Sequence, residues 1–170
     1  DLAGDVMEIG AGAGANTAAL AAAHPGATIT ATDIDPGMVA PARARLADFG
    51  AQITVQEADT TRLPFDDGRF DAAVSLLMLH HVLDWQRAIC ELARVLRPGG
   101  RLVGFDLTAS RSAKASHLAD RSPHQLIDPD HLHHALGEAG FVDIEVTHSL
   151  GRLVARLDAE KRARTRGALA

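Results

Sequence analysis

The stretch that decides the fold is V-M-E-I-G-A-G-A-G, residues Val6–Gly14. A mostly apolar run leads into glycines at alternate positions, which is typical of a buried strand ending in a tight turn. Such glycines let backbone N–H groups approach a ligand with no side chain in the way. A second apolar run ends in Thr32-Asp33-Ile34-Asp35, where a carboxylate can accept hydrogen bonds from a ribose diol. Together the two segments predict a site for an adenosine-containing cofactor.

Composition narrows the class of protein. The chain has 170 residues, 46% hydrophobic and 23% charged, as expected for one soluble globular domain. A net charge of −5 argues against a nucleic-acid partner, and the apolar runs are too short to span a membrane. We see no leader segment and one cysteine, Cys90, so we expect a cytoplasmic protein without disulfides or a cysteine-based metal site.

Five short apolar runs alternate with helical patterns, as in a parallel sheet buried on both faces. The predicted strands are Asp5–Ile9, Thr28–Thr32, Ile53–Glu57, Phe70–Leu77 and Arg101–Leu107. The predicted helices are Thr17–His24 with Asn16 as N-cap, Asp35–Gly50 with a kink at Pro41, Asp84–Leu96 before the turn Pro98-Gly99-Gly100, and Asp128–Gly140.

Two further extended runs, Val142–Ser149 and Arg152–Leu157, flank Gly151 and predict an antiparallel hairpin. The predicted fold class is therefore α/β, a doubly wound Rossmann-like sheet that is mostly parallel, with an antiparallel C-terminal hairpin strand. We expect one domain over residues 1–157, followed by a basic tail over 158–170.

The glycine loop fits two cofactors. Gly10, Gly12 and Ala15 satisfy the dinucleotide pattern G-x-G-x-x-G/A, which would indicate an NAD(P)-dependent oxidoreductase. The same loop fits an acidic-x-G-x-G-x-G pattern through Glu8. A carboxylate at that position suits a ligand with cationic groups, because it would repel the pyrophosphate of NAD. Glu8 therefore favours the second pattern.

Further motifs follow in order along the chain. Asp59-Thr60-Thr61-Arg62-Leu63-Pro64-Phe65 comes after the third predicted strand, and Phe70-Asp71 opens the fourth. Leu79–Val82 reads Leu-His-His-Val, and Arg94–Gly100 ends in Pro-Gly-Gly. With the acidic glycine loop, these motifs make the chain resemble the class I S-adenosylmethionine-dependent methyltransferases, in particular the small-molecule group of quinone-biosynthesis and natural-product enzymes.

The resemblance implies a cofactor, S-adenosyl-L-methionine, whose product is S-adenosyl-L-homocysteine. It assigns the methionine portion to the loop, the ribose to Asp33, the adenine to Asp59 and the Thr60 N–H, and the ammonium to carbonyls at the end of the fourth strand. Ile34 and Met38 would pack on the adenine, although Met38 suits the core almost as well. The full set implied is Glu8, Gly10, Ala11, Gly12, Gly14, Asp33, Ile34, Met38, Asp59, Thr60, Ser75 and Leu76.

His80 and His81 follow the fourth predicted strand and are the candidate catalytic residues. Either could act as general base for a hydroxyl or enol acceptor, or be a structural histidine; of the two we favour His80. His131 and His134 share a helical face, but no acid–histidine spacing completes a metal site, so no metal is expected. The segment 109–127 is expected to shape the acceptor pocket.

Members of this group usually carry one or two helices before the first strand, and here we expect that N-terminal cover to be missing. The primary hypothesis is methyl transfer from S-adenosylmethionine to a small-molecule oxygen, carbon or nitrogen nucleophile by in-line displacement. The alternatives are an NAD(P)-dependent oxidoreductase, for which the chain lacks tyrosine, and a cofactor-binding domain without turnover. The acceptor and the oligomeric state stay open.

Overall fold

The computed structural model describes residues 2–108, 126–149 and 154–163. Seven strands lie in these ranges: β1 (Gly4–Ile9), β2 (Ala27–Asp33), β3 (Ile53–Glu57), β4 (Phe70–Leu76), β5 (Leu96–Leu107), β6 (Phe141–Ser149) and β7 (Val154–Lys161). They form one sheet in the order β3-β2-β1-β4-β5-β7-β6. The first five pair in parallel, and β7 pairs antiparallel with both β5 and β6.

This architecture confirms the predicted fold class, the mostly parallel sheet and the antiparallel hairpin. The topology also explains where a ligand can bind. Strand order reverses between β1 and β4, because β2 and β3 lie on one side of β1 and the later strands lie on the other. In open α/β sheets such a reversal leaves a crevice at the carboxyl ends of the strands.

Helices cover both faces of the sheet. They are α1 (Ala15–Ala23), α2 (Pro36–Leu46), α3 (Trp85–Val95) and α4 (Pro129–Glu138), with 3-10 segments at Ala47–Gln52 and Leu79–His81. Alternate residues of β1 point to opposite faces: Val6 packs with Ala21 of α1 and Leu46 of α2, whereas Met7 packs in the cluster that contains Leu92 of α3. Two apolar layers therefore hold the central strands in place.

Two helix starts agree with the predicted caps. The Asp35 carboxylate accepts a hydrogen bond from the Gly37 N–H at 2.8 Å, with Pro36 in the first turn. The Asp128 carboxylate accepts one from the Asp130 N–H at 2.9 Å. In each case the carboxylate satisfies a backbone donor that the helix itself leaves unpaired.

Three local predictions are wrong. Helix α1 begins at Ala15 after Gly14, so Asn16 lies inside the first turn and is not its N-cap. Helix α2 ends at Leu46 and not at Gly50, and the following residues Ala47–Gln52 form a 3-10 segment. Strand β5 starts at Leu96, which already pairs with Phe70, so the Pro-Gly-Gly turn lies within a strand that has a register shift there.

The C-terminal hairpin is longer than predicted. Strand β7 continues to Lys161, past residue 157 where we expected the domain to end, and Arg101 pairs in register with Glu160. Arg101 also forms a salt bridge with Asp158 at 2.6 Å, and this pairing raises the pKa of the arginine. Residues 158–161 are therefore part of the sheet. Residues 164–170 lie outside the described residues.

Candidate functional site

The glycine loop between β1 and α1 has a backbone that only glycine adopts readily. Gly10, Gly12 and Gly14 have φ of 62°, 54° and 81°. A Cβ on Gly10 would lie 2.7 Å from the Met78 side chain, and one on Gly14 would lie 2.8 Å from Leu46. A Cβ on Gly12 would meet nothing within 4 Å, so that residue faces open space. The outer two glycines serve packing, and the middle one leaves room for a ligand.

Asp33, at the end of β2, holds the loop in this shape. One carboxylate oxygen accepts from the Gly12 N–H at 2.8 Å, and the other accepts from the Asp35 N–H at 2.9 Å. The Ala11 N–H donates to the Thr32 carbonyl at 2.9 Å, which adds a backbone tie between the same two segments. The carboxylate predicted to bind ribose is thus fixed in orientation before any ligand arrives.

Glu8 lies one residue before the end of β1 and is buried, with 1% of its surface exposed. Among the residues that the structure describes, one of its carboxylate oxygens has no hydrogen-bond partner, and neither does the neighbouring Thr17 hydroxyl. Burial raises the pKa of the Glu8 carboxyl, an effect that the nearby Thr17 side chain reduces. An unpaired buried carboxylate is costly unless a ligand supplies a donor. The site therefore fits a ligand that carries a cationic or N–H group.

We expect Glu8→Gln to gain stability relative to the wild type as pH rises. The raised pKa means that the folded state binds a proton more tightly than the unfolded state, so wild-type stability falls as pH rises above the ordinary value of 4.5. The isosteric amide has no charge to lose. Urea unfolding of the ligand-free protein at several pH values between 4.5 and about 8 measures the difference.

Glu91→Gln is the matched control with the opposite sign. The hydrogen bond and charge of Arg94 hold the pKa of Glu91 below its usual value. Its carboxylate therefore stabilises the fold at neutral pH and loses that contribution on acidification, so the cost of Glu91→Gln grows as pH rises. A Glu8→Gln variant whose relative stability does not change with pH would show that the Glu8 carboxyl is hydrated.

Two apolar side chains are exposed beside Asp33. Ile34 is 63% exposed and Met38 is 42% exposed. Met38 follows Asp35 in the first turn of α2, where its N–H donates to the Asp35 carbonyl at 2.9 Å. The exposure removes core packing as the explanation for Met38. Both side chains therefore present apolar surface at the edge of the sheet where Asp33 lies.

Asp59 and Thr60 lie at the same edge, beyond β3. The Ala58 N–H donates to the Asp33 carbonyl at 3.0 Å, which brings the two predicted ligand-binding carboxylates to neighbouring strand ends. The Asp59 carboxylate accepts from both the backbone N–H and the hydroxyl of Thr61, each at 2.8 Å. Thr60 itself is buried. The loop backbone is therefore ordered by its own side chains.

One guanidinium anchors the rest of this loop to α3. Arg94 donates to the Leu63 carbonyl at 2.9 Å and the Phe65 carbonyl at 2.7 Å, and it pairs with Glu91 and Asp67. Glu91 in turn accepts from the Leu63 N–H at 2.9 Å. The hydrogen bonds to Glu91 and Asp67, together with the charges of these two carboxylates, raise the pKa of the arginine. Loop 59–67 and helix α3 consequently form one unit.

Ser75 and Leu76 end β4, as predicted. Ser75 is buried, and its hydroxyl has no hydrogen-bond partner in the described ranges of the chain. A Cβ on Gly104 of β5 would overlap the Ser75 carbonyl oxygen, so the two backbones approach closely here. The next residue, Leu77, has a φ of 55°, a strained value for a leucine. The chain therefore turns sharply as it leaves the sheet.

The two candidate catalytic histidines differ in their surroundings. His80 is buried and its Nδ1 contacts a carboxylate oxygen of Asp106, whereas His81 is exposed on the surface with its ring centroid 4.0 Å from that of His80. The other Asp106 oxygen accepts from the Leu79 N–H at 2.7 Å. Sequence reasoning missed Asp106. The signal that found Asp33, a carboxylate at the carboxyl end of a strand, is also present in Phe105-Asp106.

Most of the segment 109–127 that we expected to shape the acceptor pocket lies outside the described residues, which resume at 126. A cavity of about 790 Å³ lies instead against β4, β5 and β7, lined by Val74, Leu76, Val103 and Phe105 among others. None of the glycine-loop residues lines this cavity.

None of the helices in the described part of the chain is long and apolar enough to cross a membrane.

Residues 7–104, more than half of the chain, match the family model described as a methyltransferase domain. The chain is 35% identical to an O-methyltransferase, cnsE, of Penicillium expansum over 84% of this chain and 53% of that protein. It is 33% identical to a demethylmenaquinone methyltransferase of Clavibacter sepedonicus over 88% of this chain and 70% of that one. The chain thus spans about half the length of the first relative.

A solved structure shares the fold. The S-adenosylmethionine complex of phosphoethanolamine N-methyltransferase 2 from Haemonchus contortus superposes with a TM-score of 0.81, covering 95% of this chain and 49% of that one at 19% identity. The chain therefore belongs to the methyltransferase-domain family, within the class I S-adenosylmethionine-dependent methyltransferases. The NAD(P)-dependent oxidoreductase alternative is not favoured.

Proposed function

We propose that this domain binds S-adenosylmethionine at the glycine loop and directs its methyl group to a small-molecule acceptor. The observation that carries the proposal is the buried Glu8 carboxylate beside that loop, one oxygen of which has no partner among the described residues. An ammonium or sulfonium group is attracted to such a carboxylate, whereas pyrophosphate is repelled. The electrostatics of the site thus agree with the cofactor that the family uses.

The residues at the strand ends would divide the cofactor among them. Gly10, Ala11, Gly12 and Gly14 would accommodate the methionine portion, and Asp33 would accept from the ribose hydroxyls. Ile34, Met38, Asp59 and the Thr60 N–H would hold the adenine, while carbonyls of Ser75 and Leu76 would face the ammonium. When bound, the cofactor supplies a methyl group on a positively charged sulfur, a good leaving group that departs neutral.

The chain's own contribution would be to position the acceptor and exclude water. A nucleophile held about 3 Å from the methyl carbon needs little further chemical assistance. Curated relatives named as an O-methyltransferase and a demethylmenaquinone methyltransferase support an organic small molecule as acceptor. Of the two candidate bases, we propose His80, because its ring is oriented by Asp106.

The single cysteine, Cys90, supports a cytoplasmic location.

Calorimetric titration of this chain with S-adenosylhomocysteine and, separately, with NADH tests the proposal. We expect S-adenosylhomocysteine to bind with a dissociation constant in the micromolar range, which corresponds to a binding free energy of about −8 kcal/mol. NADH should not bind measurably. Glu8→Lys, which reverses the charge beside the loop, should abolish binding of the first ligand. NADH binding without S-adenosylhomocysteine binding would contradict the proposed cofactor.

A domain that binds without turnover is the second candidate function. Relatives extend beyond the part of them that this chain matches, which leaves room for acceptor contacts elsewhere. Comparing methyl transfer by this chain with that by a version extended at its N-terminus separates the two candidates. Turnover by the extended version alone would favour the binding-only role for residues 1–170.

A further inference from the structure

Three side chains of α3 lie in one row and hold the loop that follows β3. Arg87, Glu91 and Arg94 recur with the i, i+4, i+7 spacing that places residues on the same face of a helix. The row contacts the loop backbone at alternate residues, Thr61, Leu63 and Phe65. Helix and loop therefore run side by side here, with one arginine at each end of the contact.

The two arginines of the row differ in their surroundings. Arg94 is half-buried, and its guanidinium is shared between two loop carbonyls and two carboxylates. Arg87 is exposed, and its Nε donates to the Thr61 carbonyl at 3.0 Å. An exposed hydrogen bond of this kind contributes little to the free energy of unfolding. We therefore expect Arg87 to affect the loop around Thr61 rather than the stability of the whole domain.

Thr61 connects this contact to Asp59. The N–H and the hydroxyl of Thr61 both donate to one carboxylate oxygen of Asp59, each at 2.8 Å. The Arg62 N–H donates to the Asp59 carbonyl at 2.9 Å, which closes a turn over residues 59–62. By holding the Thr61 carbonyl, Arg87 fixes this turn against α3 and thereby sets the direction of the Asp59 carboxylate.

We propose that Arg87 is a positioning residue that lets this turn distinguish adenine from hypoxanthine. The inference rests on the proposed function, which assigns the adenine to Asp59 and the Thr60 N–H, and it goes beyond that by naming a helix residue outside the site. Adenine presents an amino donor beside a ring nitrogen that accepts, which suits a carboxylate beside an N–H. Hypoxanthine presents a carbonyl beside an N–H, so acceptor would face acceptor and donor would face donor.

Such discrimination requires a turn that cannot rotate. A mismatch between two acceptors is costly only where neither group can move away or regain water. A turn that is free to rotate can relieve the mismatch with hypoxanthine, whereas it must first be ordered before it binds adenine well. Removing the Arg87 guanidinium should therefore weaken binding of an adenine ligand and leave binding of a hypoxanthine ligand unaffected.

Amide hydrogen exchange tests the first step in the ligand-free protein. Arg87→Met keeps the aliphatic stem of the side chain and removes its donors. We expect the Thr61 and Arg62 amides, which are bonded within the turn, to exchange about 3- to 10-fold faster in this variant. The Leu92 amide in α3 should keep its wild-type rate within about twofold. Turn amides that exchange at the wild-type rate would contradict the role proposed for Arg87.

Calorimetric titration with S-adenosylhomocysteine and with S-inosylhomocysteine, its hypoxanthine analogue, tests the second step. We expect the wild type to bind the adenine ligand about 10- to 100-fold more tightly. In Arg87→Met this ratio should fall about 3- to 10-fold, because only the affinity for S-adenosylhomocysteine declines. Arg62→Met, the matched control, removes the same charge from an exposed side chain of the loop and should keep the wild-type ratio. An unchanged ratio in Arg87→Met would overturn the inference.

The outcomes separate this inference from the proposed function. A wild type that binds neither ligand would contradict both, whereas one that binds the two equally well would refute the inference and leave cofactor binding intact. Thermal unfolding distinguishes positioning from a purely structural role. The midpoint of Arg87→Met should stay within about 2 °C of the wild type, and that of Arg94→Met should fall by about 5 °C or more. A lower midpoint for Arg87→Met with an unchanged ligand ratio would show that this arginine only supports the fold.

Discussion

Asp33→Ala is expected to weaken S-adenosylhomocysteine binding by about 10- to 150-fold, the range for losing hydrogen bonds to a charged group worth about 1.5–3 kcal/mol. Two losses combine in this variant. The ribose hydroxyls would lose the acceptor proposed for them, and the Gly12 and Asp35 N–H groups would lose the carboxylate to which they donate at 2.8 and 2.9 Å. The loop would then have to be ordered by the ligand itself. Calorimetric titration gives the dissociation constants.

Asp35→Ala is the matched control at the neighbouring position. Its carboxylate caps α2 through the Gly37 N–H and contacts neither the loop nor the proposed ribose site. We expect a stability loss of about 1 kcal/mol with a nearly unchanged dissociation constant. Asp33→Asn should be intermediate, because its one oxygen can keep only one of the two backbone N–H groups. Equal affinities for Asp33→Ala and the wild type would contradict the role assigned to Asp33.

Gly104→Ala is expected to cause a large loss of stability, about 3 kcal/mol or more, at the upper end of the range for overpacking a core. The new methyl group would overlap the Ser75 carbonyl oxygen, and a backbone atom within a paired sheet cannot rotate away as a side chain can. Strands β4 and β5 would have to separate where the chain turns toward the 3-10 segment. Urea unfolding gives the change in midpoint and free energy.

Gly26→Ala separates the overlap from the general effect of replacing a glycine. A Cβ at Gly26 meets nothing within 4 Å, and the backbone there does not require a positive φ. We expect its stability to lie within about 0.5 kcal/mol of the wild type or slightly above it. If Gly104→Ala unfolds at the same urea concentration as Gly26→Ala, then β4 and β5 are further apart than the structure shows.

Most of the fold could be predicted from the sequence, because the patterns that indicate its strands and helices are local. Near-continuous apolar runs predicted the first four strands, and Ile53–Glu57 was predicted with its observed ends. Where predictions were wrong, distant residues decided the outcome. Leu96 belongs to β5 because it pairs with Phe70, which no helical periodicity in its own segment could reveal. Likewise, the left-handed turn at Gly14 starts α1 before the side chain of Asn16 could cap it.

The candidate site could also be predicted only in part from the sequence. The chemistry of Glu8 and Asp33 could be inferred from their places in the motifs, but their surroundings could not. The unpaired oxygen of Glu8 depends on packing against α1, and the double hydrogen bond of Asp33 depends on the path of the loop. The position of Asp106 near a strand end was visible in the sequence, but its contact with His80 was not, because the two residues are distant in the chain. The assignment of individual residues to parts of the cofactor remains a prediction.

The Arg94 anchor has a consequence for how such a domain can diversify. Its bonds to loop 59–67 reach the carbonyl oxygens of Leu63 and Phe65, atoms that every amino acid supplies. Exposed side chains in that loop can therefore change without loosening the loop from α3. Substitutions in the loop could therefore change which aromatic ring is recognised at this edge of the sheet while the loop keeps its position, as long as the arginine on the neighbouring helix is retained.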